Sequence, residues 1–154
     1  MELRILGTSD IKISPIIMGT WQAGKDMWVG IDYTVSIRAI KAAYDAGITT
    51  FDTAEVYGNG HSEKIVGNAL QNVRDRVVIA TKVFSNHLQY KKVIDACHGS
   101  LKNLNTDYID LYQIHWPPGS FGAKKVPLEE TMRAMTDLKT QAKRAPIAVS
   151  DGAR

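Results

Sequence analysis

An α/β domain with a mostly parallel sheet is what this 154-residue sequence predicts, on three observations. One unit recurs: a short β-branched run, a loop, then an amphipathic helix. That alternation implies parallel strands joined by right-handed helical crossovers. Val77-Val78-Ile79-Ala80-Thr81 is an unbroken apolar run, as expected of a strand covered on both faces. A composition of 44% apolar and 23% charged residues is that of a chain able to bury a core, which excludes a disordered one.

Taken in order, residues 3–6 and 11–14 are short apolar runs about the turn Gly7-Thr8-Ser9-Asp10 and read as an antiparallel hairpin within 2–14. The βα units follow over 15–151, in a single domain spanning 1–154. A first strand near 15–19 leads into a loop (20–33) rich in Trp and Gly. Thr34 is the expected cap of a helix with Ile37, Ile40 and Tyr44 at helical spacing, ended by Gly47. Strand two falls near 48–52. Ser62 is the expected cap of a second helix that turns Ile65, Val66, Ala69 and Leu70 inward. After strand three comes a helix over about 90–104 with Val93, Ile94, Cys97, Leu101 and Leu104 on one face. Strand four falls near 108–114. Pro127 suits the first turn of a helix burying Leu128, Met132, Met135 and Leu138. Strand five is Ile147-Ala148-Val149, with Pro146 tolerated at its start.

The formal charge of +3 is spread over scattered cations, with only Lys91-Lys92, Lys124-Lys125 and Lys143-Arg144 adjoining, so no nucleic-acid partner is expected. Cys97 is the only cysteine and lies on an apolar helical face, which predicts a buried structural thiol and no disulfide. No apolar run approaches the ~20 residues that span a bilayer, and no signal peptide opens the chain, so a cytoplasmic location without membrane contact is expected. His61, His87 and His98 lack metal-ligand spacing, so no metal is expected. Gly58-Asn59-Gly60 precedes a helix, but Glu63 stands where a dinucleotide fingerprint needs glycine. That segment reads as a turn.

Chemistry enters at the strand ends. Asp52 and Lys82 close strands two and three, His115 follows strand four, and Tyr57 lies five residues past Asp52. Ligands of α/β sheets and barrels gather at that carboxyl rim. Each residue alone has an ordinary reading: a turn cap, a structural ion pair, a half-buried aromatic, a histidine satisfied by a carbonyl. Together an acid, an amine, a phenol and an imidazole can hold a carbonyl oxygen and give it a proton.

The sequence resembles the aldo-keto reductases. The stretches that carry the likeness are the opening hairpin, Met18-Gly19-Thr20-Trp21, Phe51-Asp52-Thr53-Ala54 with Tyr57-Gly58, Ser62-Glu63 with Val66-Gly67, Ala80-Thr81-Lys82-Val83, and Asp107-Tyr108-Ile109-Asp110-Leu111-Tyr112 with His115-Trp116-Pro117. The resemblance implies a (β/α)₈ barrel, NADPH as cofactor, a small aldehyde or ketone as substrate, and a catalytic tetrad of Asp52, Tyr57, Lys82 and His115. In it Tyr57 is the proton donor, its pKa of about 10 lowered by the Lys82 ammonium that Asp52 fixes. It further implies that Gly19, Thr20, Trp21 and Asp52 line the cofactor site and that Ser150 and Asp151 hold the nicotinamide carboxamide. Trp21, Trp28 and Trp116 have two readings, apolar walls for a substrate or packing at the barrel rim, and for Trp28 the two weigh equally. An eight-stranded barrel takes about 250 residues, and only five strands of the βα units are found here. The expectation is therefore a truncated, incomplete barrel, weak or inactive alone, that self-associates through exposed edges. The alternative is a non-catalytic partial-barrel binding or assembly module.

Overall fold

The computed structural model describes residues 1–25 and 31–141 and the backbone of 148–150. Strands β1 (Arg4–Ile5) and β2 (Lys12–Ile13) form the antiparallel hairpin, with Arg4 opposite Ile13. Then follow β3 (Met18–Gly19), α1 (Tyr33–Asp45), β4 (Thr50–Asp52), α2 (His61–Leu70), β5 (Val78–Val83), α3 (Tyr90–Leu104), β6 (Leu111–Ile114), α4 (Leu128–Gln141) and β7 (Ala148–Ser150). The second sheet is parallel throughout, in the order β3-β4-β5-β6-β7. Strand neighbours that follow chain order, with a helix in each crossover beyond the first loop, are the winding of a (β/α)-barrel.

Strand alternation separates core from chemistry. Phe51, Ile79, Thr81, Val83 and Tyr112 are fully buried, while Asp52 and Lys82, at intervening positions, are only half-buried. The core comprises that buried row together with Ile65, Val66 and Leu70 of α2, Val93, Cys97 and Leu104 of α3, and Ala134 and Met135 of α4. Burial, and the Glu63 charge after it, pushes the Cys97 thiol up to about 12, so it packs as a small apolar group.

Three local expectations are corrected. The cap of α1 is Asp32, whose Oδ1 accepts from the amides of Thr34 (2.7 Å) and Val35 (3.1 Å); a carboxylate two residues upstream outcompetes the Thr34 hydroxyl. Helix α2 is capped by Gly60 in the left-handed region, because the Ser62 hydroxyl is committed elsewhere, donating to Thr20 O at 2.7 Å and accepting from Thr53 Oγ1 at 3.0 Å. Leu128 is 47% exposed, and Thr131 and Ala134 take the inward positions of α4 instead.

Two glycines fix close approaches. Gly58 (φ 63°) touches the backbone of Gly24, where a Cβ would stand 2.1 Å from the Gly24 carbonyl oxygen. Gly67, inside α2, meets α3, where a Cβ would lie 2.2 Å from the Leu104 carbonyl oxygen. Gly67→Ala should gain about 1 kcal/mol of helix propensity and lose roughly 1–3 kcal/mol to overpacking against immovable backbone. The expected result is net destabilisation, read as a lower urea midpoint. An unchanged or higher midpoint would show that the α2–α3 approach yields freely.

Candidate active site

Sheet register sets the site. Gly19 pairs with Asp52, and Asp52 pairs with Ala80, so Lys82 stands two residues, about 6.6 Å, farther along β5. The long lysine side chain spans that offset. Its Nζ donates to Asp52 Oδ1 at 2.5 Å and to Thr53 O at 2.7 Å, and the pair is half-buried, with 14% and 30% of the two side chains exposed. Asp52 is fixed from behind, since both the amide and the hydroxyl of Thr20 donate to its carbonyl at 2.9 Å. Thr20, Thr53 and Ser62 are all buried and share hydroxyl hydrogen bonds beneath the rim.

Tyr57 sits in the loop after β4, which turns through Gly58, Asn59 and Gly60, all at positive φ. The Lys82 ammonium lies 5.3 Å from the centre of its ring. The Tyr57 hydroxyl is 3.5 Å from His115 Nε2, and the two rings meet edge to face at 5.5 Å. The His115 amide donates to Val83 O, which carries the ladder one residue past β6 and places the imidazole above the rim. The structure thus brings Asp52, Lys82, Tyr57 and His115 into one contiguous cluster.

Burial governs two of the four. The Tyr57 phenol is raised above 10, by desolvation first and by the Asp52 charge second. This corrects the expectation that Lys82 lowers it: the ammonium donates to Asp52 and Thr53 and lies 5.3 Å from the centre of the phenol's ring. His115 is pushed from 6.5 down to about 4, by burial and then by the Lys82 charge, against the opposing pull of Asp52. At neutral pH the phenol therefore keeps its proton and the imidazole is neutral. The His115 Nδ1 is buried and has no hydrogen-bond partner among the described residues.

Aromatic rings surround the cluster. Trp21 lies 6.4 Å from Tyr57, Phe84 5.9 Å and Trp116 6.1 Å from His115, and Phe121 stacks on Phe84 at 5.4 Å. Trp21, Trp116 and Phe121 are exposed and give the rim an apolar wall. The sequence reading passed over Phe84 and Phe121, and over Gln113, which pairs with Lys82 in register and so shares its level and face. Strand alternation around Tyr112 and Ile114 could have found Gln113; nothing in the loop composition points to Phe121. Of the remaining candidates, Gly19 is exposed at the end of β3, whereas Thr20 is 3% exposed with its hydroxyl turned inward. The backbone of Ser150 pairs with Gln113; Trp28 and Asp151 lie outside the described residues. Among the described residues no cluster of His, Cys, Asp and Glu could hold a metal ion, and no helix is long and apolar enough to cross a membrane.

Parallel strands in chain order, with reactive side chains gathered at their carboxyl ends, define a (β/α)-barrel protein with a rim site. The model of the aldo/keto reductase family matches residues 15–152. The aldo-keto reductase YhdN of Bacillus subtilis is 42% identical over 161 aligned positions, covering 98% of this chain and 47% of its own length. A thermostable aldo-keto reductase, Tm1743, solved with the inhibitor epalrestat, superposes with a TM-score of 0.83 at 35% identity, over 100% of this chain and 55% of that one. An aldo-keto reductase from Klebsiella pneumoniae in complex with NADPH gives a TM-score of 0.77 at 36% identity, over 91% of this chain and 46% of that one. The chain belongs to the aldo/keto reductase family. It spans about half the length of these relatives.

The His115 environment makes a pH prediction. Between pH 6.5 and 4 the unfolded chain binds the His115 proton and the folded chain does not, so this group's contribution to stability is full above 6.5 and is lost as pH falls to 4. The His115 Cε1 proton should titrate near pH 4 by NMR, and the acid-side fall in urea midpoint should be shallower in His115→Gln. Titration near 6.5 would contradict the buried, neutral imidazole.

Proposed function

We propose that the protein containing these residues reduces small aldehydes or ketones to alcohols with NADPH, Tyr57 giving the proton. One observation carries the reading: the contiguous chain from Asp52 through Lys82 and Tyr57 to His115 at the strand ends. The residues fit the reacting end of that cofactor. A Cβ on Gly19 would meet nothing within 4 Å, the Trp21 ring is exposed beside Tyr57, and the Asp52 carboxylate is partly open. Gly19, Trp21 and Asp52 would line it, Thr20 would brace that edge through its bonds to Asp52, and Ser150 and Asp151 would hold its carboxamide. When bound, the reduced nicotinamide supplies a hydride to the carbonyl carbon.

The residues of this chain do the rest. The neutral His115 ring donates its N–H to the substrate oxygen and orients the carbonyl. Tyr57, protonated at neutral pH, passes its phenolic proton to the oxygen as negative charge develops there; an alkoxide is a far stronger base than a phenolate, so the transfer runs downhill. The phenolate left behind has the Lys82 ammonium 5.3 Å from its ring centre, held there by Asp52, and regains a proton from water. The exposed rings of Trp21, Trp116 and Phe121 exclude water from the reacting oxygen. A cytoplasmic location accords with this chemistry and with the lone, buried cysteine.

Tyr57→Phe should lower carbonyl reduction at least ~100-fold while NADPH affinity, read from quenching of Trp fluorescence, stays within about twofold. Turnover unchanged in that variant would remove Tyr57 from the role of donor.

A further inference from the structure

Two residues before Tyr57 stands Glu55, a carboxylate to which the proposed reaction gives no part. Its side chain is 15% exposed, unusual for a glutamate in a loop. Both ends of this residue engage one tripeptide. The Glu55 amide donates to Lys82 O at 3.2 Å, and Glu55 Oε1 accepts from the Phe84 amide at 2.6 Å. The residue between, Val83, has its carbonyl taken by the His115 amide at 2.9 Å. The same Oε1 faces His87 Nδ1 at 3.0 Å, in the short 3₁₀ turn Ser85–His87.

The need for such a bracket follows from where β5 stops. Beyond Val83 the strand leaves the ladder, and the Phe84 amide requires an acceptor there. A carboxylate makes a shorter and stronger bond than a neutral acceptor does. It also carries a geometric consequence, because Phe84 is the ring that stands edge-on to His115 and stacks on Phe121. Fixing the Phe84 backbone fixes the wall against which the imidazole rests. Fixing Lys82 O to the loop two residues before Tyr57 holds phenol and ammonium in mutual register.

We infer that Glu55 is a positioning residue for the proton-donor cluster: its carboxylate ties the Tyr57 loop to the end of β5 and so sets Tyr57 and His115 against Lys82. The inference rests on the reductase reading for its kinetic consequence but not for its geometry, and the test separates the two. Glu55→Ala, Glu55→Asp and Glu55→Gln are compared in the intact protein, for NADPH-dependent carbonyl reduction and, without cofactor or substrate, by NMR. Glu55→Gln keeps an oxygen at the same reach and should retain kcat within about threefold. Glu55→Ala and Glu55→Asp, which remove or withdraw that oxygen, should lose roughly tenfold or more in kcat, with the KM for NADPH within about twofold. In the NMR arm the Phe84 amide should exchange slowly in the wild type and in Glu55→Gln, and rapidly in Glu55→Asp and Glu55→Ala, with the His115 and Tyr57 ring resonances moving in those two only.

Should Glu55→Ala fail to fold, Glu55→Asp against Glu55→Gln carries the comparison alone. Equal kcat across the variants overturns the inference, and so does a Gln variant as impaired as the Asp variant. A wild type without turnover would end the reductase reading yet leave the NMR arm decisive: unmoved ring resonances in Glu55→Asp would overturn the positioning role as well.

Discussion

The bond between Lys82 and Asp52 is the constraint on which the rest of the rim depends. It exists because β4 and β5 are staggered: Ala80, not Lys82, lies beside Asp52, and only a side chain as long as lysine can reach back across two residues to close the gap. Half-buried charges of this kind cost several kcal/mol to desolvate, and the cost is recovered only if each remaining polar valence is met. Here Lys82 also donates to Thr53 O, and the Asp52 backbone is held by two bonds from Thr20. The buried hydroxyls of Thr20, Thr53 and Ser62 therefore support the ion pair. Ser62 cannot cap its own helix because it takes part in this network.

Helix packing reaches the same site from the other side of the sheet. Glu63, the residue after Ser62, is fully buried and accepts from Thr81 Oγ1 at 2.7 Å and Asn103 Nδ2 at 2.9 Å, joining α2 to β5 and α3. Thr81 immediately precedes Lys82, so this contact on the helix face holds the strand whose opposite face presents the lysine. The Gly67 approach to Leu104 brings α2 and α3 close enough for it. Gly58 against Gly24 plays the corresponding part in the loops, drawing the segment after Tyr57 onto the turn that begins with Trp21. A fold of this type accepts many chemistries because its helix-facing rows serve packing while its strand ends are free to vary.

Periodicity made the architecture legible in the sequence. The span of α3 was predicted at about 90–104 because Val93, Cys97 and Leu104 repeat at helical spacing, and the parallel sheet followed from the apolar run of β5. What the sequence obscured were the polar groups whose burial no periodicity announces. Nothing in the spacing of Glu55 and Glu63 marks them as buried, and only tertiary contacts reveal them as acceptors for Phe84, Thr81 and Asn103. Asp32 was hidden by the equally good cap Thr34 two residues later. Leu128 followed the apolar pattern of α4 but sits in its first turn, where the chain is still at the surface. The sign of the Tyr57 perturbation was beyond reach for a further reason. It depends on how deeply the phenol is buried and how near the Asp52 charge lies, a matter of ångströms rather than residue types.

That sign alters how the cluster operates. For both Tyr57 and His115 the larger influence is burial; the Asp52 charge comes second at Tyr57, and the Lys82 charge at His115. The two charges are 2.5 Å apart and oppose each other at the imidazole, Lys82 pushing its pKa down and Asp52 pulling it up. Low polarity, by contrast, pushes a phenol up and an imidazole down at once, and leaves each in the neutral form that proton donation requires. Phe84 and Trp116 stand against His115, and Trp116 also presents an exposed face. Under the proposed reductase reading, substrate fit and acid–base state are therefore coupled in this site: trimming Trp116 or Phe84 would also wet His115 and raise its affinity for a proton. The ion pair anchors the cluster, and burial sets the protonation of Tyr57 and His115.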